Sequence, residues 1–145
     1  MNQPTTAYIG ATWAVLAIGI IAFLMGLWNA QMALNEKGYY FAVLCLGLYS
    51  AISLQKAVRD QVDGFPTSNL YMSISWSALA ISVILIAVGL WNATLSLSEK
   101  GFYSVTFVMT LFAVITIQKN TRDTDNANKA NAFDKSSVNF IKQDV

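Results

Sequence analysis

Residues 26–40 read GLWNAQMALNEKGYY, and residues 89–103 read GLWNATLSLSEKGFY. Each stretch lies between two long apolar segments, and the similarity extends outward without a gap, so that residues 8–60 align with residues 71–123 at a constant offset of 63 positions. About 22 of the 53 aligned positions are identical, which is far above chance even for apolar sequence. The sequence therefore predicts a tandem duplication whose two copies are joined by a polar link at residues 61–70.

The apolar segments around each motif are long enough to cross a bilayer. Residues 7–34 contain no charged side chain, and a hydrocarbon core of about 30 Å requires roughly 20 apolar residues. The runs are uninterrupted and lack the two-residue alternation of a transmembrane strand. We therefore expect an all-α membrane protein with four transmembrane helices, formed by two tandem helical hairpins. Because each copy has an even number of spans, both copies enter the membrane in the same direction, which is a parallel repeat.

The second span and the two polar segments are less regular. The uncharged run at residues 39–54 is short for a span, and turn-forming residues predict a loop over residues 55–69. Residues 124–145 are rich in Asn, Asp, Lys and Ser, which predicts a largely disordered tail. The alternative for this tail is one short surface helix with an apolar face of Phe133, Val138, Phe140 and Ile141.

Basic residues predict the orientation. The side that holds both termini and the link carries seven Lys or Arg residues, whereas the side with the two Glu-Lys-Gly segments carries only Lys37 and Lys100. The positive-inside rule then places both termini in the cytoplasm.

Small residues form one stripe on the first helix of each copy. Residues at i, i+3, i+4 and i+7 share a helix face, and small residues let helices approach closely in lipid. We expect this stripe to be a helix-packing seam in which each Asn amide bonds a partner helix. The seam residues are Gly26, Asn29, Ala30 and Ala33 in the first copy, and Gly89, Asn92, Ala93 and Ser96 in the second.

Four tryptophans are predicted to anchor the protein at the two membrane interfaces, because an indole keeps its N–H near the headgroups. Those within the motif are Trp28 and Trp91, and those about 22 Å earlier along each helix are Trp13 and Trp76.

The Glu-Lys-Gly segments predict tight periplasmic turns, with Gly in the left-handed conformation that ends a helix. The alternative is that the two glutamates form an outward-facing site for a cation, a lipid headgroup or a partner. The turn residues are Glu36, Lys37 and Gly38 in the first copy, and Glu99, Lys100 and Gly101 in the second.

Composition excludes several classes of function. The net charge of +1 is too small for a nucleic-acid binder. Histidine is absent and Cys45 is the single cysteine, which excludes Cys/His zinc sites and Ser-His or Cys-His nucleophiles. We predict no catalytic residues, no metal and no cofactor, and the predicted spans contain no ionisable side chain of the kind that marks an ion pathway.

The repeated GLWNA and EKG-aromatic-Tyr pattern, between two apolar helices in each copy, resembles the YiaA/YiaB two-helix family of bacterial inner-membrane proteins. The resemblance covers residues 8–60 and 71–123. It implies a multi-pass protein of the bacterial inner membrane, and it implies no catalytic or ligand-binding residues.

Three functional hypotheses follow. The first is a non-enzymatic protein, surrounded by membrane lipids, that associates with itself or with another envelope protein through the seam and the periplasmic turns. The second is a small transport or channel component whose pathway forms only in an oligomer. The third is an accessory of a membrane enzyme that binds a lipid headgroup at the Glu-Lys segments.

Overall fold

A computed structural model describes residues 3–143 of the chain, with side chains as far as residue 140. Over this range the regular structure is entirely helical, and all the helices are long and apolar enough to cross a membrane. They are α1 (Thr6–Asn29), α2 (Leu34–Val62), α3 (Asn69–Asn92) and α4 (Leu97–Gln143). The predicted four-helix membrane fold is confirmed.

Short connections place both hairpin turns at one end of the molecule. Residues 30–33 join α1 to α2 and residues 93–96 join α3 to α4, and we call this end the turn end. The opposite end, with the connection at residues 63–68, is the link end. There Gly64, with a φ of 78°, reverses the chain after α2, a backbone conformation that glycine adopts without strain.

The helices pack across the two copies rather than within them. The helix α1 lies along α4, α3 lies along α2, and α2 packs on α4, whereas the two helices of each hairpin touch at only a few positions. This arrangement relates the copies by a pseudo-twofold axis between α2 and α4. Tyr40 and its equivalent Tyr103 stack at this axis, with ring centroids 6.2 Å apart and planes inclined by 14°.

The core fills the space between the two inner helices and the outer helix that packs on each of them. Its largest fully buried side chains are Phe23 of α1 and Phe107 of α4. Burying apolar surface within a bilayer brings little hydrophobic gain, so close packing of such side chains is the main attraction between the helices. The bundle therefore depends on contacts that only the two copies together can make.

Two boundaries differ from the sequence prediction. The helix α2 continues to Val62, so the loop expected at residues 55–69 is confined to residues 63–68. The helix α4 continues to Gln143, so the prediction of disorder is wrong for residues 124–143, while residues 144 and 145 lie outside the described range. No Gly or Pro follows Gly101 in the sequence. A helix that is already nucleated in the membrane therefore propagates through this polar segment without a second nucleation cost.

Candidate functional site

The Glu-Lys-Gly segments are not the turns that the sequence predicts. Both segments lie in the first helical turns of α2 and α4, and the chain reverses before them. Gly38 and Gly101 have ordinary helical backbone angles, since Gly64 is the only glycine of the described residues with a positive φ. The prediction of a left-handed glycine cap at these two positions is wrong.

The two glutamates cap the helices that they begin. The backbone N–H of Ala33 donates to the Glu36 carboxylate at 3.0 Å, and the N–H of Ser96 donates to Glu99 at 2.9 Å. In the second copy the Glu99 N–H also donates to the Ser96 hydroxyl at 3.3 Å, which completes a capping box. The first copy has half of this box, because Ala33 has no side-chain acceptor.

The two lysines cap the preceding helices. The Nζ of Lys37 donates to the carbonyl of Trp28 at 2.9 Å, and the Nζ of Lys100 donates to the carbonyl of Trp91 at 3.5 Å. A positive charge at a helix C-terminus also interacts favourably with the helix dipole. Glu and Lys of each motif thus hold opposite sides of the same turn, rather than pairing with each other.

The first glycine of each motif packs against aromatic residues of the other copy. A Cβ atom on Gly26 would lie 2.6 Å from the Phe102 ring, and one on Gly89 would lie 2.7 Å from the Tyr39 ring. Tyr103 and Tyr40 lie beside them, 3.3 Å and 3.2 Å from the same Cβ positions. The glycine end of the small-residue stripe therefore packs inside the chain, against the EKG-aromatic-Tyr segment of the opposite copy. The other end of the predicted seam is wrong, because Ala33 and Ser96 lie beyond the first helix of each copy, directly before α2 and α4.

The prediction that the motif asparagines bond a partner helix is wrong. The Nδ2 of Asn29 donates to the Met25 carbonyl at 2.8 Å, and the Nδ2 of Asn92 donates to the Val88 carbonyl at 2.9 Å. Both bonds stay within the first helix of each copy. Each amide therefore keeps its oxygen as an acceptor and one N–H as a donor.

Two composite clefts open at the turn end, each built from both copies. The first cleft has a volume of about 410 Å³ and the second about 320 Å³. All seven residues that line the second cleft have their repeat equivalents in the first, which is extended by Gln31, Met32, Thr94 and Leu95. The shared positions in the first cleft are Asn35, Glu36, Tyr39, Tyr40, Gly89, Asn92 and Ala93, and in the second Ser98, Glu99, Phe102, Tyr103, Gly26, Asn29 and Ala30.

The aromatic walls of the clefts are the part that sequence reasoning missed. Tyr39, Tyr40, Phe102 and Tyr103 belong to the repeated pattern, but the sequence does not say which helix they face. The hydroxyl of Tyr39 donates to the Leu85 carbonyl at 2.6 Å and so ties α2 to α3. The sequence feature that could have identified these residues is the aromatic-Tyr pair, which follows both EKG segments.

The tryptophans lie on the outside of the bundle. At the turn end, the exposed fractions of Trp28 and Trp91 are 83% and 85%. Trp13 and Trp76, further toward the link end, are 55% and 57% exposed. Their role as interface anchors stays a prediction.

Hydroxyls inside the bundle are bonded within their own helices. Ser50 donates to the Gly47 carbonyl, Ser82 to that of Leu79, and Thr110 to that of Thr106. Between helices, the amide of Asn120 donates to the Thr12 hydroxyl at 3.4 Å. Within the described residues no cluster of three or more His, Cys, Asp or Glu side chains could hold a metal ion.

Known proteins similar to this chain are bacterial membrane proteins. The chain is 56% identical over 117 residues to the inner membrane protein YiaA of Escherichia coli (strain K12), a match that covers 81% of each chain. It is 26% identical over 99 residues to the inner membrane protein YiaB of the same strain, covering 68% of this chain and 83% of YiaB. It is also 40% identical over 63 residues to the uncharacterized membrane protein YubF of Bacillus subtilis (strain 168), covering 43% of this chain and 72% of YubF. No solved structure matches the chain significantly.

The family profile agrees with the internal repeat. The yiaA/B two helix domain matches the chain twice, at residues 8–60 and 71–123. Together with the four membrane-length helices, these similarities identify a multi-pass inner-membrane protein. The chain belongs to the YiaA/B two-helix family and contains two tandem copies of its domain.

Proposed function

We propose that this protein is a non-catalytic component of the inner membrane that acts by association with another membrane protein, a second copy of itself included. The observation that supports this is an apolar rim at the turn end, formed by Trp28, Leu34, Trp91 and Leu97. Their exposed fractions of 83–87% are the highest of any large apolar side chains in the described part of the chain. Exposed apolar side chains of a membrane protein contact either lipid or a neighbouring protein, and tryptophan is enriched at protein–protein interfaces.

The rim takes the place of the small-residue seam in this proposal. Gly26 and Gly89 are covered by aromatic rings of the same chain, so the glycine end of the seam is not free for a partner. The members of the rim are two pairs of repeat equivalents, and a partner can therefore meet two similar faces. Association through such a rim places the interaction surface of the protein at the turn end.

The turn end is periplasmic in this proposal. Near the link end the two inner helices carry Lys56, Arg59, Lys119 and Arg122, whereas the turn end carries Lys37 and Lys100. The excess of basic residues favours a cytoplasmic link end and cytoplasmic termini. The rim then faces the periplasmic headgroup layer and the proteins that reach into it.

Native mass measurement of the protein in membrane particles, extracted without detergent, tests the association. We expect a defined complex for the unaltered chain and its loss in the double variant Leu34→Gln with Leu97→Gln. The matched control is Val62→Gln, which replaces a side chain of similar exposure (75%) at the link end and should leave the complex intact. A strictly monomeric protein without a partner, or equal loss in the control, would contradict the proposal.

A further inference from the structure

We infer that the first cleft binds a primary ammonium group, carried either by an aminophospholipid headgroup or by a small soluble amine. This inference concerns a ligand and is independent of the proposed association through the rim. It rests on the acceptors, the charge and the aromatic surface of the cleft.

The first cleft contains two acceptors that no described donor occupies, the carboxamide oxygen of Asn92 and one carboxylate oxygen of Glu36. One N–H of the Asn92 amide is bonded to its own helix, and no donor among the described residues meets its carboxamide oxygen, which can therefore accept from a ligand. Glu36 accepts the Ala33 N–H through Oε2, and among the described residues no donor meets Oε1. An ammonium group has three donors and no acceptor, and it complements such a lining.

The charge of the cleft has one sign. Glu36 is the one charged residue among those that line it, and Lys37 is bonded to Trp28 on the other side of the turn. The C-terminus of α3 also opens on the cleft through Gly89, Asn92 and Ala93, but Lys100 already donates to its Trp91 carbonyl at 3.5 Å, so the attraction for a cation rests on Glu36. The full charge of Glu36 exceeds the opposite partial charge at the start of α2, roughly half an elementary charge.

Aromatic surface and size favour an organic cation over a metal ion. Tyr39 and Tyr40 form an edge-to-face pair with centroids 5.3 Å apart, and aromatic faces attract ammonium groups. The volume of about 410 Å³ is large enough for a small organic group. A hard divalent cation prefers six or more oxygen ligands, several of them carboxylates, whereas this cleft supplies the single carboxylate of Glu36.

The second cleft is a natural comparison within the same molecule. It keeps Glu99 and Asn29, but it has Phe102 where the first has Tyr39 and Ser98 where the first has Asn35. It is smaller and lacks the extension with Gln31 and Thr94. We therefore expect the first cleft to bind the ammonium group more tightly.

The test measures ligand retention by the full chain and by Glu36→Gln. Lipid retention is compared by native mass spectrometry for phosphatidylethanolamine, phosphatidylcholine and phosphatidylglycerol, and binding of free ethanolamine by calorimetry on delipidated protein. Glutamine keeps a carbonyl that can accept the Ala33 N–H, so the helix cap survives, and thermal unfolding verifies the fold. Glu99→Gln in the second cleft and Asp63→Asn at the link end are the matched controls.

We expect phosphatidylethanolamine to be retained in preference to the other two lipids, because a trimethylammonium group cannot donate hydrogen bonds and phosphatidylglycerol has no cation. Glu36→Gln should weaken this retention roughly tenfold, the effect of losing one charge-assisted hydrogen bond, and the controls should change it little. The same dependence on Glu36 for free ethanolamine, without lipid preference, would support the ammonium site and assign it a soluble ligand. Equal retention of all three lipids together with ethanolamine binding that is absent or unaffected by Glu36→Gln would overturn the inference.

Discussion

At the scale of single residues, the glycines of the motif have two different roles. Gly26 and Gly89 let the aromatic rings of the opposite copy reach the helix backbone, whereas Gly38 and Gly101 have no atom within 4 Å of the position that a Cβ would occupy. All four lie in helices. Packing therefore requires a glycine only at residues 26 and 89.

Gly89→Ala is predicted to lower the free energy of unfolding by about 1–3 kcal/mol, because the new methyl group displaces the Tyr39 ring. Gly38→Ala is predicted to raise it by about 0.4–1 kcal/mol, because alanine restricts the unfolded chain and meets nothing in the helix. Reversible unfolding in mixed detergent micelles, followed by circular dichroism, measures both. Changes of the same sign in the two variants would refute this distinction.

The capping box of the second copy and the half box of the first provide a second test at single positions. Ala33→Ser gives the first copy the hydroxyl that Ser96 supplies in the second, and it should stabilise the protein by about 0.5–2 kcal/mol. Ser96→Ala should destabilise it by a similar amount. The same unfolding assay applies, and a loss of stability in Ala33→Ser would show that the half box of the first copy is already optimal.

At the scale of elements, the sequence predicts where the helices lie along the chain better than it predicts which helices pack against each other. The uncharged runs and the repeat indicated four spans, and the GLWNA motifs lie where α1 and α3 end. Nothing in the sequence indicated that α1 packs on α4. Membrane helices are apolar on all sides, so hydrophobic periodicity does not mark the buried face.

The ends of α2 and α4 were missed for a related reason. Charged and polar residues suggested a loop at 55–62 and a disordered tail at 124–143, but these segments extend helices that the membrane already stabilises. Likewise, the role of Glu36 as a cap depends on where the turn falls. Both Glu-Lys dipeptides are consistent with the end of one helix or the start of the next.

Deleting residues 130–145 is predicted to leave the unfolding temperature nearly unchanged, since residues 130–140 are mostly exposed. The helical circular dichroism signal should fall by the share of residues 130–143. Deletion from residue 120 onward is the comparison, because it removes buried Asn120, which bonds Thr12, and buried Ala127. That longer deletion should lower the unfolding temperature, and an equal effect of both deletions would contradict the packing of α4 on α1.

At the scale of the whole molecule, the two copies form one unit. The inner helices α2 and α4 meet at the pseudo-twofold axis, and each outer helix packs on the inner helix of the other copy. Both clefts and the stacked Tyr40 and Tyr103 consequently require both copies. A single two-helix copy exposes the surfaces that form this core, and it would need a second copy to bury them.

Disulfide formation between α1 and α4 tests this interleaved packing most directly. In a Cys45→Val background, Gly19→Cys is combined with Thr110→Cys, because a Cβ on Gly19 would lie 3.4 Å from that of Thr110. This separation is close to the range of about 3.5–4.5 Å in disulfides. A protease site inserted in residues 63–68 is cut after oxidation. The packing described above predicts that the two halves stay joined until a reductant is added. Halves that separate, with a disulfide formed instead by Gly19→Cys and Gly47→Cys within the first copy, would contradict it, since Gly47 is the repeat equivalent of Thr110.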